Sequence, residues 1–413
     1  MRQSSFFIRT KKEEIKGEPS LNAQLLLRGG FVNKEMAGVY SYLPMGLKVL
    51  KKIENIIREE MRTKLGAQEV LMPALHPLEN YKATGRSEMD VLFHTDLNGG
   101  GKLVLGQSHE EIVVPLLKKF ISSYRDLPLG VFQIQTKFRN ELRAKSGILR
   151  GREFLMKDLY SFHEDEECLA EYYERSKEAY HSIFNRLGIG DRTYLTFASG
   201  GTFSDYSHEF QTITESGEDD VYLCKECNVG INEEIIEENP CCPSCEKNKN
   251  ELRKERAIEV GNIFPLNTRF SDPFSLTYKS KNGEERPVFM GCYGIGVSRA
   301  MGAVVEILSD EKGIVWPKEI SPFSVHIISL EKNEEAEKIY QKLIDAGMEV
   351  LLDDRDSSPG EKFAESDLMG IPVRIVVSEK TLRSDSVEFK KRTEKEAELI
   401  KIEEIVSYVE QNI

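Results

Sequence analysis

The stretch from Lys137 to Asp158, KFRNELRAKSGILRGREFLMKD, carries seven Lys and Arg residues and only two acids before Asp158. The chain as a whole is acidic, with a formal net charge of −13. That balance argues against nonspecific polyanion binding, which needs many cations to displace counterions from phosphates. A basic stretch is more often a solvated hairpin surface than a binding site. Any anionic ligand must therefore bind at a local basic cluster such as this one. Whether this stretch is a binding site or only a solvated surface has to be decided from the surrounding sequence.

Length and composition predict a globular protein with at least two domains, because 413 residues exceed the size at which one hydrophobic core keeps growing. No apolar run approaches the roughly 20 residues of a membrane span. The residues from Met1 to Glu14 lack the apolar segment of a secretory signal. Seven cysteines, five of them between Cys224 and Cys245, do not suit a disulfide framework. We therefore expect a cytoplasmic protein that binds no membrane.

The spacing of apolar residues predicts an α+β fold. An amphipathic helix is indicated by apolar residues three and four apart, namely Leu47, Leu50, Ile53, Ile57 and Met61. From Leu103 to Gly217, short apolar runs lack the regular strand–helix rhythm of parallel units, which predicts a mainly antiparallel sheet with helices around it. After Trp316, strand-like and helix-like segments alternate, as is typical of a separate α/β domain.

Segments along the chain resemble the motifs of class II aminoacyl-tRNA synthetases. Phe138–Glu141 together with Arg150–Phe154 resembles motif 2, and Gly291–Arg299 resembles motif 3. Pro73, which follows a predicted helix and a short strand, resembles motif 1. A glycine-rich run alone would be weak evidence, since glycines most often serve turns and close packing. The occurrence of these motifs in the right order is much stronger evidence.

Further segments look like the prolyl-tRNA synthetases in particular: Ser108–Glu111, Phe154–Asp158, Cys292 and Leu352–Arg355. The resemblance implies a class II catalytic domain at residues 1–320 and an α/β anticodon-binding domain at 321–413. It implies ATP-dependent ligation of L-proline to tRNA(Pro) through a prolyl-adenylate, with release of pyrophosphate. A noncatalytic synthetase-like RNA-binding or regulatory protein, and a related synthetase specific for threonine, remain alternatives.

The resemblance also implies a role for individual residues. Arg139 and Arg299 are the implied catalytic residues, with Arg139 bridging the proline carboxylate and the α-phosphate. A guanidinium suits this because it stays charged and can bind two anions through its planar fork. Mg²⁺ would be held through Glu259. The implied ATP-binding residues are Arg139, Glu141, Arg150, Phe154, Glu259, Asn262 and Arg299, and the implied proline-binding residues are Ser108, Glu110 and Arg139.

From sequence alone, Phe154 is as credible as a core aromatic residue, and Glu110 as a helix-capping residue. The family usually has Thr where this chain has Ser108, and bacterial-type relatives usually have His where it has Asn262. Ser108 keeps the hydroxyl group of Thr, and Asn262 can still offer an oxygen to a ligand.

Four cysteines have the spacing of a structural zinc site. Cys224 and Cys227 form one CxxC pair, and Cys242 and Cys245 form another after a gap of fourteen residues. Four thiolates would close a tetrahedral site, so zinc would stabilise an insertion at residues 221–257 that is too small for its own core. Cys241 is an alternative to Cys242 as ligand. Many bacterial relatives carry a large editing domain at this point, and 37 residues cannot contain one.

The C-terminal domain is expected to contact tRNA despite the acidic chain. Arg355, Lys390 and Arg392 match family positions there, and Arg143 matches one near the tRNA acceptor end. RNA specificity usually depends on individual loop bases that are read by hydrogen bonds and stacking, which an acidic domain can still provide. Motif 1 segments of the family pack across a twofold axis, so the resemblance also implies a homodimer.

Overall fold

The computed structural model describes residues 1–7, 9–142, 144, 146–204, 206–239 and 241–412. The chain divides into two compact units, one with Met1–Glu35, Tyr40–Ile53 and Val304–Ile413, the other with Met36–Val39 and Glu54–Ala303. The domain boundary predicted at residue 320 stays a prediction. Within the described ranges, no helix is both long enough and apolar enough to cross a membrane.

The helices of the described chain are α1 Leu21–Arg28, α2 Pro44–Leu65, α3 Leu78–Ala83, α4 Glu110–Leu117, α5 Glu166–Arg186, α6 Val297–Ile307, α7 Asn333–Asp345, α8 Pro359–Met369, α9 Glu379–Leu382 and α10 Ile405–Asn412. The first strands are β1 Val32–Met36, β2 Val39–Tyr42, β3 Gln68–Glu69, β4 Leu75–Pro77, β5 His94–Asp96, β6 Lys102–Leu105, β7 Leu129–Phe138 and β8 Glu153–His163. The next are β9 Thr193–Ser199, β10 Tyr206–Ile213, β11 Asp219–Leu223, β12 Val229–Asn232, β13 Arg253–Asn267, β14 Thr277–Lys279, β15 Glu285–Pro287 and β16 Phe289–Gly296. The last are β17 Ser309–Asp310, β18 Gly313–Ile314, β19 Val325–Ser329, β20 Val350–Asp353, β21 Val373–Val377, β22 Ser386–Lys391 and β23 Glu398–Lys401.

Helix α2 forms where the apolar periodicity predicts it. Four of the five apolar residues are buried, whereas Leu47 in the first turn is 44% exposed and does not belong to the buried face. The helix ends at Leu65, and Gly66 adopts a φ of 64°, a left-handed conformation that glycine takes at little cost.

A nine-stranded sheet dominates the unit that contains Glu54–Ala303. Its order is β10-β9-β12-β11-β13-β16-β8-β7-β3, and the pairings are antiparallel except for β12 with β9 and β3 with β7. The antiparallel character predicted from the sequence is therefore confirmed. Strand β12 and the second part of β11 belong to the predicted cysteine-rich insertion, and they lie within this sheet, between β9 and β13.

Motifs 2 and 3 lie on three neighbouring strands of this sheet. Strands β7 and β8 form the hairpin of motif 2, and β16 pairs with β8 so that Cys292 lies opposite Tyr160. Motif 3 is β16 followed directly by α6. An apolar core beneath these strands includes Val113 of α4, Phe162 of β8 and Met290 of β16. The sheet therefore brings motifs 2 and 3 side by side.

The other unit contains a five-stranded sheet with the order β20-β19-β21-β22-β23. Strand β19 is parallel to β20 and β21, while β22 and β23 continue antiparallel. One face packs on α7 and α10 through a core that includes Val373, Ile375 and Ile339. Arg374 alternates with these residues and contacts Asp367 of α8, so α8 covers the other face. The α/β arrangement predicted from the sequence is confirmed.

Candidate active site and cysteine cluster

Arg139 lies where the β7–β8 hairpin opens into its loop. Phe138 and Glu153 form the last register pair of the hairpin. The backbone N–H of Arg139 donates to the carbonyl oxygen of Arg152 at 2.8 Å. The guanidinium carbon lies 5.2 Å from the centroid of the Phe154 ring, within cation–π distance. Nε of Arg139 is buried and has no hydrogen-bond partner among the described residues, so this cation keeps an unused donor.

Arg299 extends from the first turn of α6, directly after the glycine-rich strand β16. Its Nε donates to the carbonyl oxygen of Leu149 at 2.9 Å. Its Nη1 donates to both the carbonyl oxygen and Oε2 of Glu259, at 2.7 and 2.9 Å. The three hydrogen bonds that Arg299 donates to two other segments therefore fix the orientation of its guanidinium.

Arg139 and Arg299 line the same cavity, which has a volume of about 230 Å³. Five of the seven predicted ATP-binding residues are in its wall; Phe154 is in contact with Arg139, and Asn262 with Glu259. The lining residues are Arg139, Glu141, Leu149, Arg150, Glu218, Asp219, Ala257, Ile258, Glu259 and Arg299. The structure thus brings together residues from motif 2, motif 3 and strand β13.

The guanidinium of Arg150 is already paired with carboxylates. Its Nε donates to Glu141 Oε2 at 3.0 Å, and its Nη1 donates to Glu218 Oε2 at 2.8 Å. Sequence analysis did not identify Glu218, because it lies 68 residues from Arg150 and no local spacing connects the two. A phosphate contact by Arg150 would have to compete with these two acids.

The charges around Arg139 connect the cavity to the predicted proline site. Burial lowers the pKa of Arg139, and the nearby Arg299 lowers it further, while Glu259, Glu141 and Glu110 oppose this effect. Two mutually repelling cations at one cavity favour an anionic ligand between them. Arg139 is also close enough to Glu110 for the two charges to interact, as a residue that bridges two substrates requires.

Two half-buried acids, Glu209 and Asp219, lie close to Glu259, and Asp219 is part of the cavity lining. Burial raises the pKa of Glu209 to about 8, and the negative charge of Glu259 adds to the shift. Burial also raises the pKa of Asp219. Gln211 Nε2 donates to Glu209 at 2.8 Å and to Asp219 at 3.0 Å. Sequence analysis missed these two acids, which adjacent strands of the sheet bring close to Glu259.

Asn262 positions Glu259 instead of pointing its oxygen into the cavity. Its Nδ2 donates to Glu259 Oε1 at 2.7 Å. Its Oδ1 lies against Gly294, where a Cβ added to the glycine would come within 2.7 Å of it. The predicted direct contact of Asn262 with ATP or a metal stays a prediction, and the structure gives this residue a supporting contact.

Glu110, at the start of α4, is fully buried. Its Oε1 accepts a hydrogen bond from Cys292 Sγ at 3.2 Å. Its Oε2 has no hydrogen-bond partner among the described residues. Ser108 is also buried, and its Oγ accepts a hydrogen bond from Gln107 Nε2 at 2.8 Å. A buried carboxylate with an unused oxygen is suited to a cationic ligand.

Arg86 lies next to the predicted proline-binding residue Glu110, and sequence analysis did not identify it. Its Nη1 lies 3.5 Å from Glu110 Oε2 and 2.9 Å from Glu111 Oε1. Its guanidinium carbon lies 4.5 Å from the ring centroid of Phe203 and 5.3 Å from that of Phe270. A single arginine after a short helix gives no local signal. Only the packing of α3 on α4 shows that it supports both glutamates.

A buried polar network lies beneath Glu110. Lys137 Nζ is 2.7 Å from Asp158 Oδ1 and 2.9 Å from His109 Nδ1. Tyr160 donates to Asp158 at 3.0 Å and accepts from the backbone N–H of His109 at 2.8 Å. Burial lowers the pKa of His109 to about 3, so the ring is neutral at pH 7. These bonds tie the start of α4 to strands β7 and β8 and hold Glu110 in place.

The four predicted metal ligands converge as the spacing predicts. One ligand atom from each of Cys224, Cys227, Cys242 and Cys245 lies within 4.8 Å of all the others. The Sγ–Sγ distances include 3.5 Å for Cys224–Cys245 and 3.4 Å for Cys227–Cys242. Thiolates around a tetrahedral ion with Zn–S bonds of about 2.3 Å would lie about 3.8 Å apart. The donor set and its spacing therefore fit a closed metal site.

Two of the predicted tRNA-contacting arginines are paired within their own unit. Arg355 donates through Nε and Nη2 to the two carboxylate oxygens of Asp353, at 2.9 and 2.8 Å. Arg392 donates to both oxygens of Asp310 at 2.7 and 2.6 Å. Lys390 is half-buried on β22. Arg143 lies outside the described residues, and all four tRNA assignments stay predictions.

Comparison with known families agrees with this geometry. The core domain of class II tRNA synthetases for G, H, P, S and T matches residues 93–308, and the anticodon-binding domain matches residues 324–412. Fold and site therefore define a class II tRNA synthetase with an anticodon-binding domain.

Individual relatives narrow this class. The chain is 37% identical to a proline–tRNA ligase of Anaplasma phagocytophilum strain HZ over 430 residues, covering 99% of this chain and 100% of that one. It is 33% identical to a proline–tRNA ligase of Syntrophomonas wolfei over 566 residues, covering 99% of this chain and 98% of that one. The chain belongs to the prolyl-tRNA synthetase family. Its alignment with the Syntrophomonas wolfei relative spans 566 positions, whereas the chain has 413 residues, so the chain is a short form that lacks segments of this relative.

A crystal structure with the same fold is that of prolyl-tRNA synthetase from Cryptosporidium parvum complexed with halofuginone and AMPPNP. The TM-score is 0.78 at 19% identity, and the match covers 94% of this chain and 74% of that one.

Proposed function

We propose that this chain ligates L-proline to tRNA(Pro) with ATP, in two steps. In the first, a carboxylate oxygen of proline attacks the α-phosphorus, and the bond to the pyrophosphate oxygen breaks. In the second, the terminal ribose hydroxyl of tRNA attacks the activated carbonyl carbon and AMP leaves. The observation that carries this proposal is the position of Arg139, which lies in the cavity wall and within electrostatic reach of Glu110.

The site residues support the first step by charge and position. Glu110 would pair with the cationic imino group of proline, because its carboxylate is buried and its Oε2 accepts no hydrogen bond among the described residues. Arg139 would contact both the proline carboxylate and the α-phosphate, and Arg299 the terminal phosphates and adenine. Both reactants are anions, so holding them together and stabilising the added charge are the main catalytic tasks. No general base is needed, because the carboxylate is already ionised.

Mg²⁺ is proposed as the cofactor on the acidic side of the cavity. Its preferred ligands are oxygens, and Glu259 in the cavity wall could supply one after exchanging its present partners. Burial raises the pKa of the neighbouring Glu209 and of Asp219, and a divalent cation would lower both pKa values and favour the charged carboxylates. When bound with ATP, Mg²⁺ neutralises charge on the phosphates.

ATP–pyrophosphate exchange tests the proposed activity. We expect exchange that depends on added L-proline and no exchange with L-threonine. Exchange with threonine alone would favour the threonine-specific alternative. No exchange with any amino acid, from protein that binds tRNA, would favour the noncatalytic alternative, which the presence of Arg139, Glu141, Arg299 and Glu110 disfavours.

We propose that the cysteine cluster binds one structural Zn²⁺. Four protein ligands leave no position for substrate, so the metal would stabilise the segment around Cys224–Cys245. Purified protein is expected to contain about one zinc per chain, measured by elemental analysis after preparation without chelators. Cys245→Ser should lose most of the zinc, whereas Cys168→Ser, which changes a cysteine outside the cluster, should keep it. Wild-type protein without metal would contradict the proposal.

We propose a homodimer that acts in the cytoplasm on tRNA(Pro). The dimer is supported by the family's motif 1, and the compartment by seven cysteines that form no disulfide in the described part of the chain. Size-exclusion chromatography with light scattering is expected to give about twice the chain mass of 47.1 kDa. A stable monomer with full exchange activity would be the contrary result.

A further inference from the structure

A groove of about 360 Å³ in the unit with the five-stranded sheet has no role in the activity proposed above. It lies between the N-terminal segment, the end of α1, the turn between β17 and β18, and helix α8. The lining residues are Thr10, Lys11, Lys12, Arg28, Lys312, Ala364, Glu365, Asp367 and Leu368. Four of these nine residues are cations, in a chain with a net charge of −13.

The cations of the groove are not neutralised by its walls. Lys11, Lys12 and Lys312 are exposed, and none of them forms an ion pair with a carboxylate in the described part of the chain. Arg28 donates to backbone carbonyl oxygens, from Nε to Lys11 at 3.4 Å and from Nη2 to Lys12 at 3.2 Å. These bonds hold the N-terminal segment against α1 and leave the positive charge of Arg28 uncompensated.

The two acids of the groove are paired elsewhere. Glu365 accepts a hydrogen bond from Arg355, and Asp367 accepts one from Arg374 at 3.1 Å. Each acid is thus matched by an arginine that is not part of the groove lining. The groove therefore keeps an excess of positive charge.

Further cations lie on strands β21 and β22 of the five-stranded sheet. Lys390 lies opposite Arg374 in the register of β21 and β22, on the face covered by α8. Burial lowers the pKa of Lys390, and the positive charges of Arg374, Lys312 and Arg392 lower it further. Lys312 is therefore close enough to Lys390 to affect it electrostatically. Lys312 thus belongs to the groove lining and also affects the pKa of Lys390 on β22, the strand that carries a predicted tRNA-contacting residue.

We propose that this groove binds backbone phosphates of tRNA, as an extension of the predicted anticodon-binding surface. The proposal rests on the function proposed above. Its cations come from separate segments of the chain and are in excess over unpaired acids, which suits the phosphates of a polyanion. Contacts to phosphates position an RNA without reading its bases. Lys11, Lys12 and Lys312 would therefore add affinity and orientation and leave base recognition to the rest of the domain.

The test compares two double variants by their affinity for a tRNA(Pro) transcript at several salt concentrations. Lys11→Ala/Lys12→Ala removes two cations of the groove. Lys338→Ala/Lys342→Ala removes two exposed lysines of α7, on the opposite face of the same sheet. We expect the groove variant to bind about tenfold more weakly, with a salt slope shallower by about two. The control variant should bind like the wild type.

A noncognate tRNA transcript extends the test, because phosphate contacts carry no base information. The groove variant should lose affinity for both transcripts by the same factor. If the groove variant lost affinity for tRNA(Pro) alone, the proposed contacts to phosphates would be wrong. If the two double variants bound tRNA equally well, the proposal that the groove binds tRNA would be wrong. Proline-dependent exchange, which needs no tRNA, is measured on every preparation to give the active fraction. Its failure in the wild type would count against the proposed function, whichever result the tRNA measurements give.

Discussion

Arg139→Ala is expected to lower proline-dependent pyrophosphate exchange by at least about a hundredfold, because removing one preorganised charge contact typically costs that much. The side chain lines the cavity, contacts the Phe154 ring and keeps an unused Nε donor. Its loss removes the group proposed to contact both anionic reactants. We therefore expect kcat to fall more than the affinity for either substrate.

Two further variants make this result specific. Arg139→Lys restores the charge but not the planar fork, so exchange should recover only in part. Arg192→Ala removes an exposed arginine from the same unit and should retain wild-type exchange. Near-normal exchange by folded Arg139→Ala protein would refute the proposed role, and full rescue by lysine would refute the bidentate contact.

Glu110→Gln is expected to lower kcat/KM for proline by at least about a hundredfold while changing the KM for ATP little. The substitution keeps the size of the side chain and removes its charge. Breaking a buried charge pair by removing one partner costs about 3–5 kcal/mol. The carboxylate is fully buried, with Oε1 bonded to Cys292 and Oε2 3.5 Å from Arg86 Nη1, so no solvent is available to replace the lost interaction.

The neighbouring residue provides a matched control. Glu111→Gln makes the same chemical change one residue away, where the carboxylate already accepts hydrogen bonds from Arg86 and Thr84, each at 2.9 Å. This carboxylate forms a buried ion pair with Arg86, so Glu111→Gln is expected to lower stability, while kcat/KM for proline should fall less than in Glu110→Gln. Steady-state exchange at varied proline concentrations compares the two variants. An equal loss of kcat/KM in both would show that Glu110 has no special contact with proline.

The sequence was sufficient to predict those features that depend on residues close together in the chain. The cysteines of each CxxC pair are three residues apart, so a single turn brings their sulfurs together, and the spacing predicts the cluster before any tertiary contact is known. The apolar periodicity of α2 predicts its buried face in the same way. The hairpin of motif 2 places Arg139 opposite the strand that carries Phe154, because the pairing of adjacent strands follows from their connection.

The partners of the site residues could not be predicted. Arg86 and Glu110 meet because α3 packs on α4, and Arg150 meets Glu218 across 68 residues. Arg392 shows the consequence most clearly: the family resemblance implies a contact with tRNA, and the structure pairs its guanidinium with both oxygens of Asp310. Such pairs depend on how distant segments pack, and neither helical nor strand periodicity contains that information.

The sequence by itself determined the α+β class, the order of the motifs, the residues with the right chemistry and the spacing of the two cysteine pairs, whereas the structure brings Cys242 and not Cys241 into the cluster. These features depend on residue type and on spacing within one element or one turn. Only the tertiary structure decided which charges remain available, in the cavity of Arg139 and in the groove of Lys11 and Lys12. The reason is physical: a charge is neutralised by whatever lies within a few ångströms of it, and that neighbour is set by the packing of segments far apart in the chain.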